Sequence, residues 1–103
     1  MADIVSVQKS YGGFKILLED GSSRQLQSYG SGELVGHNSE SLVVEDNGYA
    51  LILDLDGRVQ GRIQLFADMR VTSVTHNSVV VRESGYIKIY DMRGNRTSSR
   101  QVL

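Results

Sequence analysis

The chain contains no cysteine, no proline and no tryptophan among its 103 residues. Without cysteine there is no disulfide, no thiolate zinc site and no thiol nucleophile. Long apolar runs are missing too. The longest nearly apolar stretch, from Tyr49 to Leu53, falls far short of the ~18 residues a membrane helix requires, so no membrane association is expected. An excess of either charge is also lacking: 11 Lys+Arg stand against 12 Asp+Glu, a net of −1. That balance argues against nucleic acid as a partner, which normally draws a basic surplus. Met1-Ala2-Asp3-Ile4 shows no basic region leading into an apolar block, so no export signal is read and a cytoplasmic location is expected. What is present suits one folded domain over 1–103, with 40% hydrophobic residues and enough length to bury a core without staples.

Internal repetition organises the sequence. Shifted by 37 residues, the segment 41–57 falls on 78–94 without a gap, and 8 of 17 positions are identical. The matches are Ser41/Ser78, Val43/Val80, Val44/Val81, Gly48/Gly85, Tyr49/Tyr86, Ile52/Ile89, Asp54/Asp91 and Gly57/Gly94. A weaker copy, Gly13 to Gly21, lies 35 residues before the Gly48 copy. In that alignment Phe14 stands where the tyrosines stand, and one residue is lost at the second turn. The repeat units are then roughly 1–32, 33–69 and 70–103.

Each unit reads as β. Val, Ile, Tyr and Thr are concentrated in short runs separated by Gly, Asn, Asp and Ser, which is strand-and-turn punctuation. The expected strands are 4–9, 14–19 and 23–29 in the first unit, 33–37, 41–46, 49–55 and 58–66 in the second, and 71–76, 78–83, 86–92 and 96–103 in the third. No window carries a 3.6-residue apolar period, so the fold class is all-β. Asp54-Leu55-Asp56-Gly57 and Asp91-Met92-Arg93-Gly94 place Asp first and Gly fourth. There the carboxylate accepts backbone N–H groups and the glycine takes a positive φ. The units are three short antiparallel meanders.

The strand faces carry the most information. Leu42-Val43-Val44, Val79-Val80-Val81 and Ala50-Leu51-Ile52-Leu53 are apolar on both faces, so these strands are expected to be covered on both sides. The last strand of the second unit alternates, with Val59, Gly61, Ile63 and Leu65 between Arg58, Gln60, Arg62 and Gln64. Arg96-Thr97-Ser98-Ser99-Arg100-Gln101 is polar throughout and reads as a guarded outer edge.

Sandwiched inner strands with a polar outer strand are the profile of a propeller blade. Tyr86-Ile87-Lys88-Ile89-Tyr90-Asp91 resembles the third strand of a WD-repeat blade, with Tyr90-Asp91 in the place of Trp-Asp. Leu53-Asp54 takes that place in the second unit, and Gly36-His37 is similar to the dipeptide that opens such a blade. The resemblance spans about 34–103 and implies a blade without implying any chemistry. The period departs from the ~40–45 residues of that family, the third unit lacks Gly-His, and there is no Trp.

Three blades are fewer than the ~4–8 of ordinary rings. Two chains completing one six-bladed ring is the simplest expectation, with a trefoil or prism-like arrangement as the alternative. Terminal repeats need a neighbour or a polar cap, and the inner strands of the third unit show no cap. Residues 1–69 carry a net charge of −5 and residues 70–103 a net of +4. The signs favour docking of one chain's C-terminal unit on another's N-terminal unit, with Arg96 and Arg100 as candidate self-association residues.

No catalytic constellation emerges. Asp54-x-Asp56-Gly57 opens like a calcium loop, but the position that should be Glu is Leu65 and the flanks are strands, so it reads as a turn. His37 and His76 have no ligand-spaced partner. Gly-x-Ser-x-Gly is absent, and Ser28-Tyr29-Gly30-Ser31-Gly32 lacks the Lys and helix of a phosphate loop. No metal, cofactor or enzymatic activity is expected. Phe14, Tyr49 and Tyr86 suit rings wedged between sheets or, alternatively, sugar-stacking sites. Tyr49, Tyr86 and Tyr90 are the candidate ligand-binding residues, and Tyr11 and Tyr29 further surface anchors. The function expected is a non-catalytic binding or scaffold module that associates with itself and with another protein. The alternative is a lectin with sites between units.

Overall fold

The computed structural model describes residues 3–10, 12–27, 32–66 and 68–101. Among them the β-branched and tyrosine-rich runs form eleven strands, and there is no helix. Sheet one holds β1 (Ile4–Ser10), β2 (Gly13–Leu18) and β3 (Ser23–Leu26). Sheet two holds β4 (Glu33–His37), β5 (Leu42–Asp46), β6 (Tyr49–Leu53) and β7 (Val59–Gln64). Sheet three holds β8 (Arg70–Val74), β9 (Ser78–Glu83), β10 (Tyr86–Asp91) and β11 (Arg96–Gln101). Every sheet is an antiparallel meander in chain order. The stretches expected at 33–37 and 78–83 are strands over those residues, and the others shift at their ends. β6, for instance, stops at Leu53 because Asp54 already opens the next turn. Residues 28–29 and 102–103 of the expected strands, and Tyr11 and Tyr29, lie outside the described residues.

Sheets two and three repeat in register down to their irregularities. The β4–β5 ladder slips between Leu34 and Gly36, and the β8–β9 ladder between Val71 and Ser73. Likewise β6–β7 slips between Ile52 and Leu53, and β10–β11 between Ile89 and Tyr90. The extra residues, Val35 with Thr72 and Gln60 with Thr97, are again 37 positions apart. Bulges kept at equivalent places are features of a repeat, not defects.

Sheet one belongs to the same series, but one residue away from the alignment expected. Gly12 has the positive φ, 78°, that Gly48 and Gly85 have at 81° and 84°. The ladders pair Ser10 with Gly13, Asp46 with Tyr49 and Glu83 with Tyr86. The spacing is therefore 36 residues, and Gly13, not Phe14, stands where the tyrosines stand. No residue is lost at the second turn either. Gly21 N–H donates to Leu18 C=O at 3.0 Å, as Gly57 does to Asp54 and Gly94 to Asp91 at 3.1 Å. Position 13 admits only glycine, because a Cβ there would lie 1.7 Å from the Leu26 carbonyl oxygen. By this register β1 answers to β5, β2 to β6 and β3 to β7, so among the described residues sheet one has no counterpart of β4 and β8.

The sheets stack face to face around two cores. β5 is buried from Leu42 to Val44 and feeds both cores by its period of two. Leu42, Val44 and Leu53 join Ile4, Phe14, Ile16, Leu18 and Leu26 between sheets one and two. Val43, Ala50, Ile52 and Ile63 join Met69, Val79 and Val81 between sheets two and three. Each fully buried aliphatic side chain contributes on the order of 1.5–3 kcal/mol. The covering of β5 and β6 on both sides agrees with their two-faced apolar sequence. β11 is exposed along its whole length, as an outer strand. The expected alternation of β7 is broken by its bulge, which turns Val59 opposite Leu53 and leaves it 38% exposed.

Polar links fasten the stack. Ile4 N–H donates to the Ser39 carbonyl at 2.8 Å, joining sheets one and two. The Asn38 side-chain amide donates to the Thr75 and His76 carbonyls, each at 3.0 Å, joining sheets two and three. β1 lies beside β4 and β4 beside β8. This is blade stacking about one side, not the arrangement of a trefoil.

Candidate binding surface

Each sheet turns one face forward, to the next sheet in the chain, and one rearward. Ladder partners share a face, so the register assigns every residue. Forward-facing residues are Val7, Phe14, Ile16 and Leu26 in sheet one, and Val43, Ala50, Ile52 and Ile63 in sheet two. Their equivalents in sheet three are Val80, Ile87, Ile89 and Arg100. The first two forward faces are covered by the rear face of the following sheet. The third has no sheet over it among the described residues. There Arg70, Arg82, Ile87 and Arg100 form one row across the four strands, and Ser73, Val80, Ile89 and Ser98 the next. An aliphatic strip flanked by three arginines is thus left facing outward.

The rear face of sheet one has a different character. Where sheet two presents Leu42, Val44, Leu51 and Leu53, sheet one presents Ser6, Gln8, Lys15 and Leu17. Three of the four apolar positions have become polar. Charge follows a similar division. Residues 1–32 hold three cations (Lys9, Lys15, Arg24) and three anions (Asp3, Glu19, Asp20), so the negative excess of the N-terminal two-thirds lies wholly in residues 33–69.

The candidate residues from the sequence do not converge. Tyr49 and Tyr86 each open a strand after a positive-φ glycine. Tyr49 is half-buried on the face toward sheet one, whereas Tyr86 is 44% exposed on the face toward sheet two. Tyr90 packs against the second core. Phe14, expected at the same place, is fully buried one position further along. Arg100 stands opposite Ile87 on the outward face, while Arg96 stands opposite Tyr90 on the other. The extra residue Thr97 separates them. The expectation that Val79-Val80-Val81 is covered on both sides fails at Val80, which lies on the face with no sheet over it among the described residues. Arg70, Arg82, Val80, Ile87 and Ile89 were not among the candidate site residues.

At the opposite end from the tyrosine-bearing hairpins, two clefts of about 390 and 350 Å³ share Glu40 and Gln60 as walls. In the first, Arg24 pairs with Asp56 at 2.9 Å. Asp54 Oδ1 there accepts the backbone N–H groups of Asp56 and Arg58, each at 2.9 Å. Asp91 Oδ1 does the same with Arg93 and Asn95, at 2.9 and 3.0 Å. Those backbone donors, Asn95 first and then Arg93, hold the Asp91 carboxyl below its ordinary value. The carboxylates thus serve as turn caps. His76 lines the second cleft and is exposed, and half-buried His37 has Nδ1 3.2 Å from the Asn38 carbonyl. Among the described residues no three His, Asp or Glu are grouped to hold a metal ion, and no helix is long and apolar enough to cross a membrane.

Consecutive four-stranded meanders, stacked with inner strands side by side and outer strands exposed, define blade repeats of the β-propeller type. No family model matches the sequence, and no curated protein matches it either. Among solved structures the chain is similar to Hsv2 of Kluyvelomyces marxianus, a β-propeller protein. The TM-score is 0.58 at 12% identity, covering 98% of this chain and 40% of that one. At that identity the likeness is one of fold, and this chain spans about two-fifths of the length of its neighbour.

Proposed function

We propose that the protein is a non-catalytic binding or scaffold module of the β-repeat type, which associates with itself and with protein partners through the outward face of sheet three. One observation carries this. Val80, Ile87 and Ile89 occupy positions that in sheets one and two are packed against a neighbouring sheet, yet among the described residues no sheet lies over them and they are only half-buried. A stacked repeat that keeps its apolar face at one end requires a further surface to bury it. The row of arginines beside the strip sets the electrostatic preference of that surface. A second copy offers a complement in residues 33–69, which carry a net of −5 from two arginines and seven carboxylates. Such pairs steer encounter and set register more than they add affinity. The reading assigns the chain no catalytic role; Asp54 beside the first cleft caps its own turn and Asp56 pairs with Arg24.

Native mass spectrometry across a concentration series tests the proposal. A dimer or larger assembly that dissociates at raised salt is the expected result. A monomer at every concentration, with no change on adding salt, contradicts self-association.

A further inference from the structure

Among the described residues sheet one has three strands where the other two have four, and the innermost position is the one left open. β1 pairs with β2 along one edge, and along its other edge no strand runs among the described residues. In an antiparallel ladder, successive residues direct their N–H and C=O groups to opposite edges. The β1–β2 hairpin closes on the pair Ser10–Gly13, so Ser10 and Gln8 address β2 while Lys9 and Val7 address the open side. Their equivalents in the sister sheets stand against an inner strand. Glu45 and Val43 pair with Glu33 and Gly36 of β4, and Arg82 and Val80 pair with Arg70 and Ser73 of β8.

This edge differs from the outer ones. β11 guards its edge with Arg96 and Arg100, the usual defence against stray strand pairing. β1 presents Val5, 55% exposed, and half-buried Val7. The Lys9 ammonium, which would otherwise guard the edge, is bonded to the Gly32 carbonyl at 2.8 Å.

We propose that the open edge of β1 is an acceptor for a strand from a partner protein, an extended segment of about five residues running antiparallel to it. The length is that of β4 and β8, five residues each. Strand addition of this kind takes its affinity from main-chain bonds and its specificity from alternate side chains. The occupants of the sister sheets supply the template. Opposite Lys9 an acidic residue fits by charge, at a register position that Glu33 and Arg70 hold in the sister sheets. Opposite Gln8 the partner residue is polar, because the apolar Val44 that receives Leu34 in sheet two is absent here. Opposite Val7 it is small, as Gly36 and Ser73 are. The proposal is independent of the outward face of sheet three.

A labelled peptide with the sequence of residues 32–39, and the same peptide carrying L34T, are titrated into the full chain while backbone amide signals are followed by NMR. The expected result is saturable binding with the largest shifts at Val7 and Lys9, and tighter binding of the L34T peptide. Proline is tolerated in an edge strand where its missing N–H faces solvent. Val7→Pro and Lys9→Pro should therefore stay folded and lose about tenfold or more in peptide affinity, whereas Gln8→Pro breaks the β1–β2 ladder and lowers stability. Three results overturn the proposal: no binding at millimolar peptide, binding unaffected by both edge prolines, or self-pairing of the free chain through β1 that Val7→Pro abolishes.

Discussion

The two ends of the stack are built from the same repeat and finished differently. The rear face of sheet one has replaced Leu42, Val44 and Leu51 with Ser6, Gln8 and Lys15 in equivalent positions. The forward face of sheet three has kept Val80 and Ile89 for Val43 and Ile52, and has enlarged Ala50 to Ile87. The first face is polar and the second remains suited to burial. The lesson is that one face of a repeat can change character while the hairpin glycines, Gly12 for Gly48 and Gly21 for Gly57, keep their positive φ. Docking of sheet three on sheet one of another copy would set an aliphatic strip against Gln8 and Lys15.

The comparison is sharpened first by matched truncations. Ile52→Ala removes a fully buried side chain from a covered face and should cost about 2–5 kcal/mol in urea unfolding. Ile89→Ala, at the equivalent half-buried position, should cost about 1 kcal/mol in the dilute chain, since little area is lost. Equal losses would erase the distinction between the two faces. Next, Gln8→Val with Lys15→Leu places the residues of sheet two on the polar face of sheet one. A shift of the assembly to higher mass in light scattering is expected, and an unchanged mass would show that the polar substitutions are no cap.

Smaller effects test the turns. Asp91 has its carboxyl held below the ordinary value by backbone N–H donors. A depressed carboxylate stabilises the fold fully above its unfolded value near ~3.9, and that contribution fades as pH falls through the lower folded value. Asp91→Asn should therefore lower Tm at neutral pH, with the gap to the parent chain closing below about pH 4. A gap independent of pH would assign the loss to geometry instead of charge. Least of all, Arg24→Ala removes an ion pair with Asp56 whose side chains are 50% and 65% exposed. A change of less than about 1 kcal/mol is expected by chemical denaturation.

The fold was largely legible because turns and strand faces repeat. Gly48/Gly85, Asp54/Asp91 and Gly57/Gly94 mark the hairpins, and the two-faced apolar runs announce the stacking. The first unit was misaligned by one for a local reason. Gly12 and Gly13 are adjacent, so the sequence does not say which takes the positive φ, and Leu18 stands where the other turns open with Asp. The outward arginine row was hidden by bulges. Simple alternation puts Arg70, Thr72 and Val74 on one face, but the extra residue Thr72 returns Val74 to the core. Equally, even spacing groups Arg96 with Arg100, and the bulge at Thr97 parts them. Nothing in residue type alone announces either insertion, since the deciding contact is the neighbouring ladder.

The most direct measurement is a methyl NMR dilution series on the isoleucine, leucine and valine side chains, from millimolar to micromolar chain. Concentration-dependent shifts at Val80, Ile87 and Ile89, with Leu17 on the polar end unmoved, are the result this account predicts. Shifts at Leu17 in their place, or none at any methyl while the mass stays that of one chain, would contradict it.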